Sequence, residues 1–377
     1  DYVTIASNGN ATNFGYFGWA SGYHGNARTI GTAGCTGATR GAWAGGKQPG
    51  LPFIGSFYYV TIQTTSNTTT GIQELTTKAR YLASLSNDAR GVWAGGDVQG
   101  SPGYTNRIEY MTIANMSSTS DFGDLTATAQ FHSGLSDGTA QRGVFAPITE
   151  GNSNVMDYIT IASTGNATDF GELTQAIGYI AACSNGVRGV WGGGWNGSSR
   201  TDNMEFVCLD TAQGASDFGS LWSGYGDGSA LAGGSNGERG IWMNGGSGDK
   251  GTTIQYFDIE TTGNASDFGE SVVSAWGRGG VSNTTRMVAA GGYYVNTMDY
   301  ITIATTGNSS NFGTLVTNGN GMGGSNNNTR GVFLGGEGAG NVMQYITISS
   351  TSNSTDFGDS VNTGNNNYIW GDAGGGT

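Results

Sequence analysis

The sequence predicts an all-β chain of about eight four-stranded antiparallel units, each about 47 residues long. Three observations carry this. An aromatic followed by alternating β-branched residues recurs eight times, as in Tyr158-Ile159-Thr160-Ile161. A phrase of the form Arg-Gly-Val-Trp-Ala-Gly-Gly recurs seven times, starting at Arg40, Arg90, Arg142, Arg188, Arg239, Arg286 and Arg330. Asp/Asn-Phe-Gly recurs seven times, as at Asp169 to Gly171. A fixed period of this size signals repeated supersecondary units, so residues 1–377 are read as one domain rather than the two or three that length alone suggests.

Taken in order, each unit opens with an apolar stretch such as Tyr81-Leu82-Ala83-Ser84-Leu85 or Tyr179-Ile180-Ala181-Ala182-Cys183. A turn follows, as at Ser184-Asn185-Gly186, and leads into the arginine phrase. The apolar centre of that phrase reads as a strand, and its double glycine as a strand end that turns tightly. A connection of 7 to 13 residues then reaches the aromatic strand, whose side-chain period of two and β-branched content are strand signals. From that aromatic to the Phe of Asp-Phe-Gly the spacing is 12 in seven units and 13 in the eighth, where the motif decays to Gly71-Ile72. The Asp or Asn can close its own turn, the glycine tolerates a left-handed backbone, and the phenylalanine is expected in the core.

Composition agrees and excludes several classes. Glycine numbers 70 and proline only 4, with no third-residue glycine period, so the chain is not collagen-like. With 9 Trp, 17 Tyr and 15 Phe it has the apolar mass that disordered chains lack. The net charge of −13, with lysine only at 47, 78 and 250, argues against partners with phosphate backbones or anionic lipid surfaces. No apolar run has the ~18 residues of a membrane helix, and no signal peptide is visible. A surface of Asn, Ser, Thr and Gly suits a virion or extracellular setting. The three cysteines, Cys35, Cys183 and Cys208, show no paired spacing and read as small buried hydrophobes.

Four short antiparallel strands with a diglycine ending the second resemble the Kelch repeat over the whole chain. The resemblance implies a β-propeller of about eight blades. Phenylalanine stands where Kelch repeats often carry tryptophan on the fourth strand. The stretch Thr119-Ser120-Asp121-Phe122-Gly123 also resembles the Asp-box of sialidase-like propellers. The wording from Tyr158 to Gly171 looks like repeats in virion proteins of marine phages. The chain opens at a third strand (Tyr2) and ends after a first strand (Tyr368 to Gly371), so the terminal blade is expected to be closed by strands from both ends. Opening at Asp1 in mid-repeat, it is expected to be a piece of something longer.

Function is expected where the repeats differ. The connections after the diglycine and after Asp-Phe-Gly vary in length, and in an up-and-down blade both emerge on one face. Variable loops on a rigid scaffold are the usual place for binding. That face carries Tyr16, Trp19, Tyr23, His24, Phe53, Phe57, Tyr104, Trp195, Trp222, Tyr225, Tyr293 and Tyr294; the residues expected to bind are Trp19, Tyr23, His24, Phe53, Tyr104, Trp195, Tyr293 and Tyr294. Aromatic rings among Asn and Gly suit sugar or protein surfaces. The expected partners are a cell-surface glycan or protein receptor, or neighbouring virion proteins within a larger assembly.

No catalytic constellation, metal site or cofactor is legible. His24 and His132 lie in different repeats, the carboxylates read as scattered through turns, and the seven repeat arginines read as structural ties. The competing expectation is a secreted carbohydrate-binding or glycan-processing propeller of sialidase or galactose-oxidase type, whose histidine and cysteine requirements this chain does not match. Asn-x-Ser/Thr sites such as Asn10 and Asn166 are read as incidental.

Overall fold

The computed structural model describes residues 33–36, 40–45, 55–61, 70–87, 89–99, 103–114, 119–130, 133–137, 141–146, 153–177, 181–194, 196, 198–199, 201–221, 232–243, 251–275, 277–292, 294–319, 322–326, 329–334, 336–337, 342–359 and 366–367. Among these residues the chain is all-β, with no helix. Seven four-stranded antiparallel sheets follow one another, each with its strands in sequence order. We number them sheets 1 to 7. Their first strands are Ala33–Thr36, Ala83–Ser86, Ser133–Ser136, Ala181–Ser184, Ala232–Ser235, Gly279–Ser282 and Gly323–Asn326. The second strands begin at the seven repeat arginines: Arg40–Ala44, Arg90–Ala94, Arg142–Ala146, Arg188–Gly192, Arg239–Met243, Arg286–Ala290 and Arg330–Leu334. The third strands are Ser56–Thr61, Thr105–Thr112, Val155–Thr160, Asn203–Cys208, Thr253–Asp258, Thr297–Thr302 and Val342–Thr347. The fourth are Thr70–Glu74, Ser120–Ala129, Thr168–Glu172, Ser216–Ser220, Ser266–Glu270, Ser310–Thr314 and Thr355–Asp359. The sequence places the strand from Tyr81, but the strand starts at Ala83, because Tyr81 takes a left-handed φ of 58°. The expected terminal closure falls on residues 2–5 and 368–371, outside the described residues.

Packing explains why these phrases recur. In five sheets the large aromatic of the second strand faces a small residue on the first: Trp93 pairs Ser84, Phe145 pairs Gly134, Trp191 pairs Ala182, Trp242 pairs Gly233 and Phe333 pairs Gly324. These five rings are essentially inaccessible to solvent, each contributing about 2–3 kcal/mol by burial. The small partners also let neighbouring sheets approach. First strands of successive sheets touch in an unbroken series from sheet 1 to sheet 7. A Cβ on Gly280 would lie 2.8 Å from the carbonyl oxygen of Gly233 in the sheet before it. Outward of this, the third-strand aromatic meets the Asp-Phe-Gly phenylalanine edge-on, as in Tyr158–Phe170 at 5.8 Å and Tyr300–Phe312 at 5.8 Å. The phenylalanines are buried, as the sequence predicts.

Two kinds of joint tie each sheet to the next. The repeat arginine lies over its own sheet's third-strand aromatic and reaches across to carbonyls at the end of the next sheet's third strand. Arg188 stands 4.4 Å from the Phe206 ring centre and donates to Ile259 O (3.0 Å) and Glu260 O (2.6 Å). Arg239 repeats this on Tyr256, Ile303 O and Ala304 O. The expected tying role of these arginines is met in Arg90, Arg142, Arg188, Arg239 and Arg286. Asn or Asp in the preceding turn holds the arginine's backbone, as Asn185 Oδ1 accepts from Val187 N and Arg188 N.

At the second joint, the third-to-fourth turn of one sheet docks on the fourth strand of the sheet before it. Gly263 N donates to Phe218 O and Ala265 N to Ser220 O, while Asn264 Oδ1 accepts from Ser220 N. Asn166, Asn308 and Asn353 do the same to Asp124, Glu270 and Thr314. Gly219, at φ 141°, has to be glycine here, since a Cβ would collide with the carbonyl oxygen of Gly263. Asn166 and its equivalents therefore serve the fold.

Candidate functional site

The polar residues of the repeat are built into the scaffold. In sheets 2 to 7 the residue before the third-strand aromatic is acidic or an amide: Glu109, Asp157, Glu205, Gln255, Asp299 and Gln344. All six are buried. Five of them cap the root of the connection leaving the preceding sheet. Glu109 accepts from Thr76 N (2.8 Å) and Thr77 N (2.9 Å). Asp157 accepts from Thr126 N (2.7 Å) and Oγ1 (2.8 Å), and Glu205 from Thr174 N (2.6 Å) and Oγ1 (2.7 Å). Gln344 holds Val316 and Thr317. Burial raises the Asp157 and Glu205 carboxyls above their ordinary range, and the threonine bonds offset only part of that. This corrects the reading of carboxylates as scattered through turns: these four acids lie on third strands, directly opposite second-strand residues such as Trp93, Phe145 and Trp191.

In sheet 6 the cap becomes a closed network. Asp299 pairs with Arg278, both side chains fully buried, and Ser271 Oγ donates to Asp299 Oδ2 at 2.6 Å. Arg278 also donates to Gly291 O (3.1 Å) and Ala289 O (2.9 Å). Every group there faces a protein partner, so the network anchors the connection and is sealed from any ligand.

The exposed tyrosines among the described residues, Tyr104 and Tyr294, stand on the connections between strands. In sheet 2, Ala79–Arg80 of the incoming connection pairs with Asp97–Val98, just after the diglycine of the second strand. Arg80 donates Nε to Asp97 Oδ2 at 2.7 Å, and its Nη2 lies 2.6 Å from the same oxygen. Its guanidinium sits 4.6 Å from the ring centre of Tyr81. Asp97 bridges to Tyr104, Val98 N donates to Gly103 O, and Thr105 N donates to Gly96 O. The two connections are thus locked on the same end of the sheet, which is the sharing of one face expected from an up-and-down unit. Tyr104 is 38 % exposed. Tyr294 follows the diglycine of sheet 6 and is 73 % exposed, with φ 58°.

Of the residues expected to bind, Tyr104 and Tyr294 lie on these connections, in sheets 2 and 6, and are not brought into one cluster by any contact described above. Trp19, Tyr23, His24, Phe53, Trp195 and Tyr293 lie outside the described residues, as do Tyr16, Trp222 and Tyr225. Sequence reading missed Arg80, Tyr81 and Asp97. The signal available was weak: an Arg-Tyr pair placed just before a first strand, in a chain with only 15 Lys and Arg together. Among the described residues, no group of three or more His, Cys, Asp or Glu is arranged to hold a metal ion. No known protein-family model matches this chain, and no curated protein matches it by sequence.

Proposed function

We propose that the chain is a non-catalytic binding and structural β-propeller, closing into a ring of about eight blades. In this reading it is a phage virion component that contacts a host-surface glycan or protein receptor, or neighbouring virion proteins. The observation that carries it is the division of labour within the repeat. The recurring arginines, asparagines and carboxylates engage backbone groups of adjoining sheets, as Arg188, Asn264 and Glu205 do. What differs between repeats lies on connections rooted by those contacts, and there aromatic side chains reach solvent. A rigid frame bearing divergent loops suits recognition without covalent chemistry. Several weak loop contacts on one frame add through multivalency.

The test is binding of the labelled full chain to intact marine bacterial cells and to immobilised virion proteins. Retention that falls when the connections 97–104 and 293–296 are exchanged for those of other repeats supports the reading. A chain that retains neither cells nor virion proteins overturns it.

A further inference from the structure

We propose that Asn185 and Asn236 are sites of self-modification, where the turn converts its own asparagine to aspartate or isoaspartate with water as the only co-reactant. This goes beyond the binding reading and does not depend on it. Both asparagines open first-to-second turns, in sheets 4 and 5, and glycine follows each. The turns read Ser184-Asn185-Gly186-Val187-Arg188 and Ser235-Asn236-Gly237-Glu238-Arg239.

The reaction needs a main-chain nitrogen after the asparagine, a polarised side-chain carbonyl and an acceptor for the proton. Glycine has no Cβ to obstruct ring closure at that nitrogen. Two backbone donors polarise each carbonyl. Asn185 Oδ1 accepts from Val187 N (3.0 Å) and Arg188 N (2.7 Å), and Asn236 Oδ1 from Glu238 N (3.0 Å) and Arg239 N (2.8 Å). Fixed donors aimed at an oxygen that gains charge stabilise the tetrahedral state of an addition. The proton acceptor is the serine before each asparagine: Gly186 N donates to Ser184 Oγ at 2.8 Å and Gly237 N to Ser235 Oγ at 2.9 Å. All six residues are half-buried, so water reaches them. In the first step Gly186 N attacks Asn185 Cγ and its proton leaves through the Ser184 hydroxyl. The Cγ–Nδ2 bond breaks and ammonia departs, leaving a cyclic imide. Water then opens the imide to aspartate or isoaspartate.

The chain carries its own controls. Asn87 Oδ1 accepts from Ala89 N and Arg90 N, and Asn283 Oδ1 from Thr285 N and Arg286 N, yet Asp88 and Thr284 follow them in place of glycine. In sheet 3 an aspartate does the asparagine's work, since Asp137 accepts from Gln141 N (2.8 Å) and Arg142 N (3.2 Å). An aspartate product therefore still holds the arginine's backbone, whereas isoaspartate adds a main-chain carbon that the hairpin does not fit. At 185 the change also reaches the next sheet. Asn185 Nδ2 donates to Glu260 Oε1 at 3.3 Å, and a carboxylate there loses that bond beside the Arg188 contact to Glu260 O. Conversion at both sites adds two negative charges to a chain already at −13.

The experiment stores the full chain in neutral buffer, folded and in guanidinium chloride, and follows each asparagine by peptide mapping with mass spectrometry that separates aspartate from isoaspartate. In the folded chain Asn185 and Asn236 should convert at least about tenfold faster than Asn87 and Asn283, and faster than they do themselves in the unfolded chain. Ser184→Ala should slow Asn185 and leave Asn236 at the parent rate, and Ser235→Ala should do the reverse. Conversion no faster in the folded chain than in the unfolded one overturns the proposal. So does a serine variant that leaves its own site unchanged or slows both sites alike.

Discussion

Tyr294 carries a conformational penalty at an exposed position. It is mostly solvent-exposed and its backbone is left-handed, a conformation that disfavours side chains by about 1–2 kcal/mol. Tyr294→Gly is expected to raise unfolding stability by about 1 kcal/mol in urea titration. Glu205 isolates an electrostatic penalty. Burial raises its pKa, so the folded chain holds that proton more tightly than the unfolded chain does. Its favourable contribution is fully present below the ordinary value of 4.5 and is lost as pH rises through the raised one. Glu205→Gln should flatten the dependence of the urea midpoint on pH above that ordinary value. The amide fits because Gln255 and Gln344 occupy the same strand position in sheets 5 and 7, and Gln344 caps the same kind of connection root.

Strands and joints respond to different substitutions. Arg188→Ala removes two bonds to carbonyls and a ring contact, and is expected to lower stability by about 2 kcal/mol in chemical denaturation. Arg188→Lys should recover little, because a single ammonium does not reproduce the planar fork over Phe206. Gly219→Ala and Gly263→Ala form a paired control at one joint. The first forces a Cβ into a backbone carbonyl at φ 141°, whereas the second meets nothing within 4 Å. Only Gly219→Ala should lower the melting temperature appreciably, read by differential scanning calorimetry. The strands were legible in the sequence because their period of two and diglycine ends are local signals. The partners of Arg188 and Glu205 were not, because they lie 71 and 31 residues away and no local pattern encodes them. For the same reason the length variation of the connections pointed to Tyr104 and Tyr294, while Arg80 and Asp97, whose pairing spans 17 residues across two connections, went unread.

Across the molecule, each sheet is held mainly by the sheets before and after it, so stability should spread by nearest-neighbour coupling. Hydrogen exchange on Gly219→Ala is expected to quicken most in Ser216–Ser220 and in the turn at 260–265, less in sheets 3 and 6, and not in sheet 2. Uniform acceleration through all seven sheets would show instead one all-or-none unit. The asparagine joint has a consequence for how such a chain changes over generations. A repeat carries one half of one joint on its fourth strand and the complementary half of another on its third-to-fourth turn, as the repeat of Asn264 and Phe268 does. A tandem duplication or deletion of its coding segment within the array therefore adds or removes a whole sheet and leaves neither half orphaned. Array length is open to recombination between segments that share these joint residues, while the connections of each copy drift separately toward their own contacts.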